Sequence, residues 1–169
     1  MGELPVLNVA DQWCNDVTEI GMEQILGENL RKPIGAGPGQ ARLTILLADD
    51  NPSLLQELQR VLEREFEIVS TVADGRALVE QYNRLCPEVI VTDISMPLMD
   101  GFEAVAKLHH RGKPKIVFLT VHEEPAFVEE AKALGAMGYV LKRSRPSVLV
   151  DAIRSAHKGS FFLCPELSE

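Results

Sequence analysis

From Leu43 onward the chain alternates between two kinds of apolar pattern, and that alternation leaves few folds open. Short apolar runs with little period-two character lie at Leu43–Ala48, Ile68–Val72, Val89–Val91, Ile116–Leu119 and Tyr139–Leu141. A strand with one wet face would alternate apolar and polar residues. Consecutive apolar positions instead fit strands covered on both faces, as in a parallel sheet. Between these runs the apolar residues recur at helical spacing. Leu54, Leu55, Leu58, Val61 and Leu62 make one stripe, and Leu78, Tyr82 and Leu85 a second. Phe102, Val105 and Ala106 make a third, Phe127, Ala131 and Leu134 a fourth, and Leu149, Ile153 and Ala156 a fifth. Asn51-Pro52 suits a helix start, because the Asn side chain accepts from the first free amides and Pro lacks only an N–H that would have no partner there. Five strands alternating with five helices predict a doubly wound α/β sheet with right-handed crossovers.

Residues 1–40 lie outside this pattern. They hold the only tryptophan, Trp13, and end in the Gly/Pro cluster of Arg31 to Gln40, which predicts a flexible joint. No apolar run leads into that cluster and Lys32 precedes its glycines, unlike a phosphate-binding loop. Asp16 and Glu19 are placed to form a capping box, with Met22, Ile25, Leu26 and Leu30 on one helical face. Gly21 and Gly27 would each cost that helix about 1 kcal/mol relative to Ala. The arm is expected to be mobile: a marginal helix that docks on a partner, plain disorder, or the product of a start codon assigned too early.

The run Val89-Ile90-Val91-Thr92 leads straight into Asp93, and Met96-Pro97 followed by Asp100-Gly101 stops regular structure at once. In α/β sheets ligands sit outside the carboxyl ends of the strands. Those ends supply Asp49 and Asp50, Asp93, Thr120 and Lys142. Each has a second reading: the two aspartates also suit the positive end of the following helix, Thr120 is a strand former, and Lys142 could be a solvated surface lysine. An acid directly after a buried run, together with three further strand ends that suit the same reaction, favours one site. Clustered carboxylates repel one another unless a cation intervenes. Mg²⁺ takes one or two carboxylates together with waters and phosphate oxygens. A carboxylate beside that ion can attack phosphorus to form an aspartyl-phosphate. Lys142 and Thr120 would then supply a cation and a hydroxyl to the equatorial oxygens. The histidines, His109, His110, His122 and His157, show no metal-ligand spacing, and His109 and His110 are expected on the surface.

The motifs Leu46-Leu47-Ala48-Asp49-Asp50-Asn51, Val91-Thr92-Asp93-Ile94-Ser95-Met96-Pro97-Leu98-Met99-Asp100-Gly101, Leu119-Thr120 and Tyr139-Val140-Leu141-Lys142 resemble the response-regulator receiver domain of two-component signalling. The details are similar to the NarL/FixJ subgroup, which carries LuxR-type output domains. The resemblance implies a flavodoxin-like (βα)5 sheet with strand order 2-1-3-4-5. It implies an arm over 1–40, a receiver domain over 41–158 and a connector over 159–169, with the chain ending where an output domain would begin. It makes Asp93 the phosphoacceptor for a sensor histidine kinase. Mg²⁺ would be held by Asp50, Asp93 and the Ser95 backbone carbonyl, with Asp49 acting through a water. Lys142 would contact the phosphoryl group, Thr120 would move to bond it, and Tyr139 would turn inward as the switch. The helix 4/strand 5/helix 5 face, or another helical face, would meet a partner or a second copy to form a homodimer. In many receivers Pro follows the lysine on a cis bond; Arg143 stands here and a trans bond is expected.

The expected function is therefore a signalling switch that regulates transcription through an output domain or partner. The alternative is a receiver-type interaction module that works without phosphorylation. A turnover enzyme is not expected, since a phosphatase of similar chemistry would show a second acid two residues after its nucleophile, where Ser95 stands. The formal net charge of −8 argues against nucleic-acid binding by this chain alone. No apolar run approaches the roughly 18–20 residues that cross a bilayer, and no basic-then-apolar N-terminus marks a signal peptide. Cys14, Cys86 and Cys164 are widely spaced and expected to be reduced. The expected compartment is the cytoplasm.

Overall fold

The apolar runs are strands, and all of them lie in one parallel sheet. The computed structural model describes residues 41–108 and 114–168; the arm readings and those on His109 and His110 lie outside them. β1 (Thr44–Ala48), β2 (Glu67–Val72), β3 (Val89–Thr92), β4 (Lys115–Thr120) and β5 (Gly138–Leu141) alternate with α1 (Pro52–Leu62), α2 (Gly75–Leu85), α3 (Gly101–Leu108), α4 (Pro125–Ala133) and α5 (Pro146–His157). The sheet order is β2-β1-β3-β4-β5-β6, so the expected order of the first five strands holds. β6 (Phe162–Leu163) is an addition: the segment expected as a connector pairs in parallel with the edge of β5. The Phe162 N–H donates to the Met137 carbonyl at 2.9 Å and the Cys164 N–H to the Tyr139 carbonyl at 3.0 Å.

Every residue of β3 and β5 is buried, which is why these strands show no alternation. Ile45, Leu46, Leu47, Ile90, Val117 and Phe118 form the centre of the core, each 0% exposed. Burial of one such aliphatic side chain is worth about 1.5–3 kcal/mol. Four of the five helical stripes face this core as expected; in the third, Ala106 is exposed, and Ala104 and Leu108 take the buried positions beside Phe102 and Val105. Asp100 caps α3. The Glu103 N–H donates to Asp100 Oδ1 at 2.8 Å while the Asp100 N–H donates to Glu103 Oε2 at 3.2 Å, a reciprocal capping box. Asn51 caps α1 as expected, accepting from the Ser53 and Leu54 amides at 3.0 and 3.2 Å.

The thiol expectation holds at Cys164, which is free and buried. No cis peptide bond occurs among the described residues, in line with the expected trans bond before Arg143. No helix among them is long and apolar enough to cross a membrane.

Gly101 locks the loop after β3. Its N–H donates to the Ile94 carbonyl at 2.7 Å, and a Cβ at this position would stand 2.0 Å from the Asp93 carbonyl oxygen. Only a residue without a side chain allows the backbone behind Asp93 to pack this closely. Gly101→Ala is therefore expected to destabilise the protein by about 1–3 kcal/mol, the range for overpacking, read as a lower urea midpoint. An unchanged midpoint would show that the loop yields freely.

Candidate functional site

The sheet ladder carries the acids to its edge. The Asp49 N–H continues the β1–β2 ladder to the Val72 carbonyl at 3.0 Å, and the Asp93 N–H bonds the Ala48 carbonyl at 2.9 Å. Both side chains leave the strand ends together and are buried, Asp49 at 2% and Asp93 at 3% exposure. Asp50 is exposed at the same edge. Carboxylate oxygens of Asp49, Asp50 and Asp93 lie within 4.8 Å of one another.

Lys142, the first residue after β5, closes the group. Its ammonium lies 2.7 Å from Asp93 Oδ2 and 2.7 Å from Asp49 Oδ2. The contact to Asp93 is a directed hydrogen bond, whereas Asp49 Oδ2 has the charge contact but no directed hydrogen bond. The remaining oxygens are held from the backbone: Asn51 N–H to Asp49 Oδ1 at 2.9 Å and Ile94 N–H to Asp93 Oδ1 at 2.7 Å. Burial pushes the Asp49 carboxyl above the usual carboxylate range, against the pull of Lys142 and the Asn51 amide. For Lys142, burial pulls the other way, but its contacts with the Asp49 and Asp93 carboxylates outweigh it and hold the ammonium above the usual lysine value.

The donor set fits a hard divalent cation. Three clustered carboxylates include one buried oxygen without a directed partner, and an ammonium already bridges two of them as a stand-in positive charge.

Thr120 ends β4 and is fully buried. Its Oγ accepts the His122 N–H at 3.3 Å, and the Lys142 N–H donates to its carbonyl at 2.8 Å. Tyr139 is also fully buried, with its hydroxyl donating to the His122 carbonyl at 3.0 Å. Burial, ahead of the Glu124 charge, pushes that phenol far above its usual range. Ser95 is exposed two residues beyond Asp93, and its Oγ lies 2.8 Å from His122 Nε2. The structure thus brings Asp49, Asp50, Asp93 and Lys142 into one cluster, with Thr120 and Tyr139 tied to it through the β4–α4 loop.

Three features had no local signal. His122 bonds a residue 27 positions away across two neighbouring strand ends. Arg143 forms a two-point pair with Glu123, at 3.0 and 2.9 Å. Leu98, in the loop after Asp93, has φ of 66° and is 72% exposed. The Met99 N–H reaches the Pro97 carbonyl at 2.7 Å around it, a strained γ-turn. A non-glycine residue in that region costs about 1–3 kcal/mol.

Asp49, raised, disfavours the fold when ionised, that is, as pH rises above the ordinary carboxylate range. Lys142, raised, supplies stability throughout neutral pH and loses it only as pH rises through its own elevated value. Lys142→Met leaves two buried carboxylates without a counter-charge, and in the presence of EDTA at neutral pH it should cost about 3 kcal/mol. The deficit should shrink as pH falls and Asp49 takes up a proton. Urea unfolding across pH checks this; a deficit that stays constant with pH would contradict it.

The response regulator receiver domain family matches residues 45–154. The transcriptional regulatory protein DegU of Brevibacillus brevis is 31% identical over 130 residues, covering 75% of this chain and 55% of that protein. Among solved structures, a LuxR-family two-component response regulator from Aurantimonas sp. SI85-9A1 aligns with TM-score 0.72 and 30% identity, covering 76% of this chain and 94% of that one. The isolated receiver domain of RcsB from Salmonella enterica serovar Typhimurium, determined with the phosphomimetic BeF3⁻, aligns with TM-score 0.70 and 28% identity, covering 76% and 97%. The chain spans 55% to 59% of the length of three curated relatives. A parallel sheet in the order 2-1-3-4-5 with an acid cluster at its carboxyl edge, matched by this family over most of the folded region, makes the chain a member of the response-regulator receiver domain family, with LuxR-type regulators among its relatives.

Proposed function

We propose that this chain is a phosphorylation switch that accepts a phosphoryl group on Asp93 from the phosphohistidine of a sensor kinase. The observation that supports it most is the Lys142 ammonium set 2.7 Å from both Asp93 and Asp49, at the edge where Asp50 adds a third carboxylate. That arrangement presents a nucleophilic carboxylate whose neighbours manage negative charge. In the transfer, an oxygen of Asp93 bonds phosphorus as the phosphorus–nitrogen bond of the donor breaks, and the imidazole leaves with the bonding pair. Asp50, Asp93 and the Ser95 carbonyl would hold Mg²⁺, with Asp49 holding a water on it. The ion supplies neutralisation of the phosphoryl oxygens. Lys142 follows the new charge, and the Thr120 hydroxyl donates to a phosphoryl oxygen. Tyr139, buried with its hydroxyl on the His122 carbonyl, registers that movement through His122.

The acceptor is written on rather than turned over. Ser95, not an acid, stands two residues beyond Asp93, so nothing there is suited to protonate the leaving group of a general phosphate ester. Self-phosphorylation from small donors and slow self-dephosphorylation are the expected limits of its chemistry, in the cytoplasm where a kinase phosphohistidine is available.

Downstream, we place transcription control in an output domain or partner, since LuxR-type relatives extend well beyond the matched region. Self-association is assigned to the α4/β5/α5 face or another helical face. The edge of β5 itself is taken by β6, so a second copy could not add a strand there without displacing it.

Incubation with acetyl phosphate and Mg²⁺ should add one phosphoryl group to the intact mass, and Asp93→Asn should abolish the gain. No gain by the parent chain would favour an interaction module that works without phosphorylation, and an undiminished gain in Asp93→Asn would place the acceptor elsewhere.

A further inference from the structure

His122, in the β4–α4 loop, joins Ser95, Thr120, Tyr139 and Phe127. Its ring nitrogen Nε2 lies 2.8 Å from Ser95 Oγ, in the loop that follows Asp93. Its N–H donates to Thr120 Oγ and its carbonyl accepts from the Tyr139 hydroxyl. Its ring stacks on Phe127 in the first turn of α4, with centroids 4.1 Å apart and planes 8° from parallel. Phe127 in turn contacts Phe102 of α3, at 6.1 Å. Nδ1 stands 3.9 Å from Glu124, at the start of α4. The two backbone contacts would be made by any residue with an N–H at this position, whereas the bond to Ser95 and the stack on Phe127 belong to the histidine ring.

We propose that His122 is a positioning residue that transmits the state of Asp93 to the α4/β5 face, and that its hydrogen bond to Ser95 is the transmitting contact. This rests on the phosphoacceptor reading above. The backbone of His122 holds the side chains of both Thr120 and Tyr139, so neither can change partners without the peptide at 122 responding. The side chain joins that peptide to the phosphoacceptor loop on one side and to Phe127 on the other. A phosphoryl group on Asp93 that draws the Thr120 hydroxyl or shifts the 94–96 loop therefore pulls on His122, and the stacked Phe127 carries the pull to α4. Coupling of this kind needs an element held in two discrete arrangements. The Ser95–His122 bond, made or broken, supplies the two.

Three substitutions separate the bond from the stack. His122→Phe keeps a ring over Phe127 but cannot bond Ser95. His122→Gln keeps a side-chain amide able to bond Ser95 but gives up the ring. Ser95→Ala deletes the same bond from the other side and leaves the histidine in place. The readout is amide hydrogen exchange over residues 121–131, with and without beryllofluoride and Mg²⁺, alongside intact mass after acetyl phosphate. The parent chain is expected to change its exchange in that segment by about fivefold or more, the lower end of allosteric couplings. His122→Gln should keep the change. His122→Phe and Ser95→Ala should each lose it, with His122→Phe still gaining the phosphoryl mass. A His122→Phe or Ser95→Ala protein that responds like the parent overturns the proposal, as does a His122→Gln protein that responds no better than His122→Phe. A parent that gains mass without any change in 121–131 also overturns it, while the phosphoacceptor reading stands. A parent that gains no mass removes that reading and the proposal with it.

Discussion

Two carboxylates buried side by side should drive the sheet edge apart, and the Lys142 ammonium is what prevents it. Removing a charge from water costs several kcal/mol even after the protein relaxes. Asp49 and Asp93 together would impose that cost twice, with mutual repulsion added. One cation 2.7 Å from both answers most of it, and backbone amides from Asn51 and Ile94 hold the other oxygens. The balance is incomplete, since Asp49 remains harder to ionise than a free carboxyl. The donor set left unfinished in this way suits a hard divalent cation.

The same edge concentrates backbone cost. Leu98 is held with positive φ in a three-residue turn, and Gly101 is pressed against the Asp93 carbonyl. Strain of this kind persists only where neighbouring packing overrides it. Here the override comes from β3, every residue of which is buried, and from the Asp100–Glu103 box that anchors α3. Rigid strands thus deliver the chemistry, and loops whose bonds join several elements surround it. β6 extends the arrangement outward: its bonds run to the carbonyls of Met137 and Tyr139, so residues beyond the family match are attached directly to the strand that bears the buried tyrosine and leads to Lys142.

Much of this was legible in the chain. Asp49, Asp50, Asp93, Thr120 and Lys142 could be picked out because each stands where a recognisable apolar run ends, and a parallel sheet brings such ends to one edge. Asn51-Pro52 could be read as a helix start because capping is a contact between residues two or three apart. Ala106 shows the limit, since Phe102, Ala104, Val105, Ala106 and Leu108 are all apolar and spacing alone left the buried face of this short helix ambiguous. β6 was missed because two residues carry no periodicity; Phe162 and Leu163 are a strand only because β5 offers an open edge.

The sequence by itself determined which apolar runs are the first five strands, which face of most helices is buried and which acids stand at the strand ends, because those properties follow from neighbours within a turn or two. Tertiary structure alone decided that one lysine would serve two carboxylates, that His122 would join Ser95, Thr120, Tyr139 and Phe127, and that the C-terminal segment would close the sheet. Apart from Thr120 and Phe127, which lie close to His122 in the chain, the partners stand 17 or more positions apart. Their existence depends on where adjacent strands end in space, which no local pattern encodes.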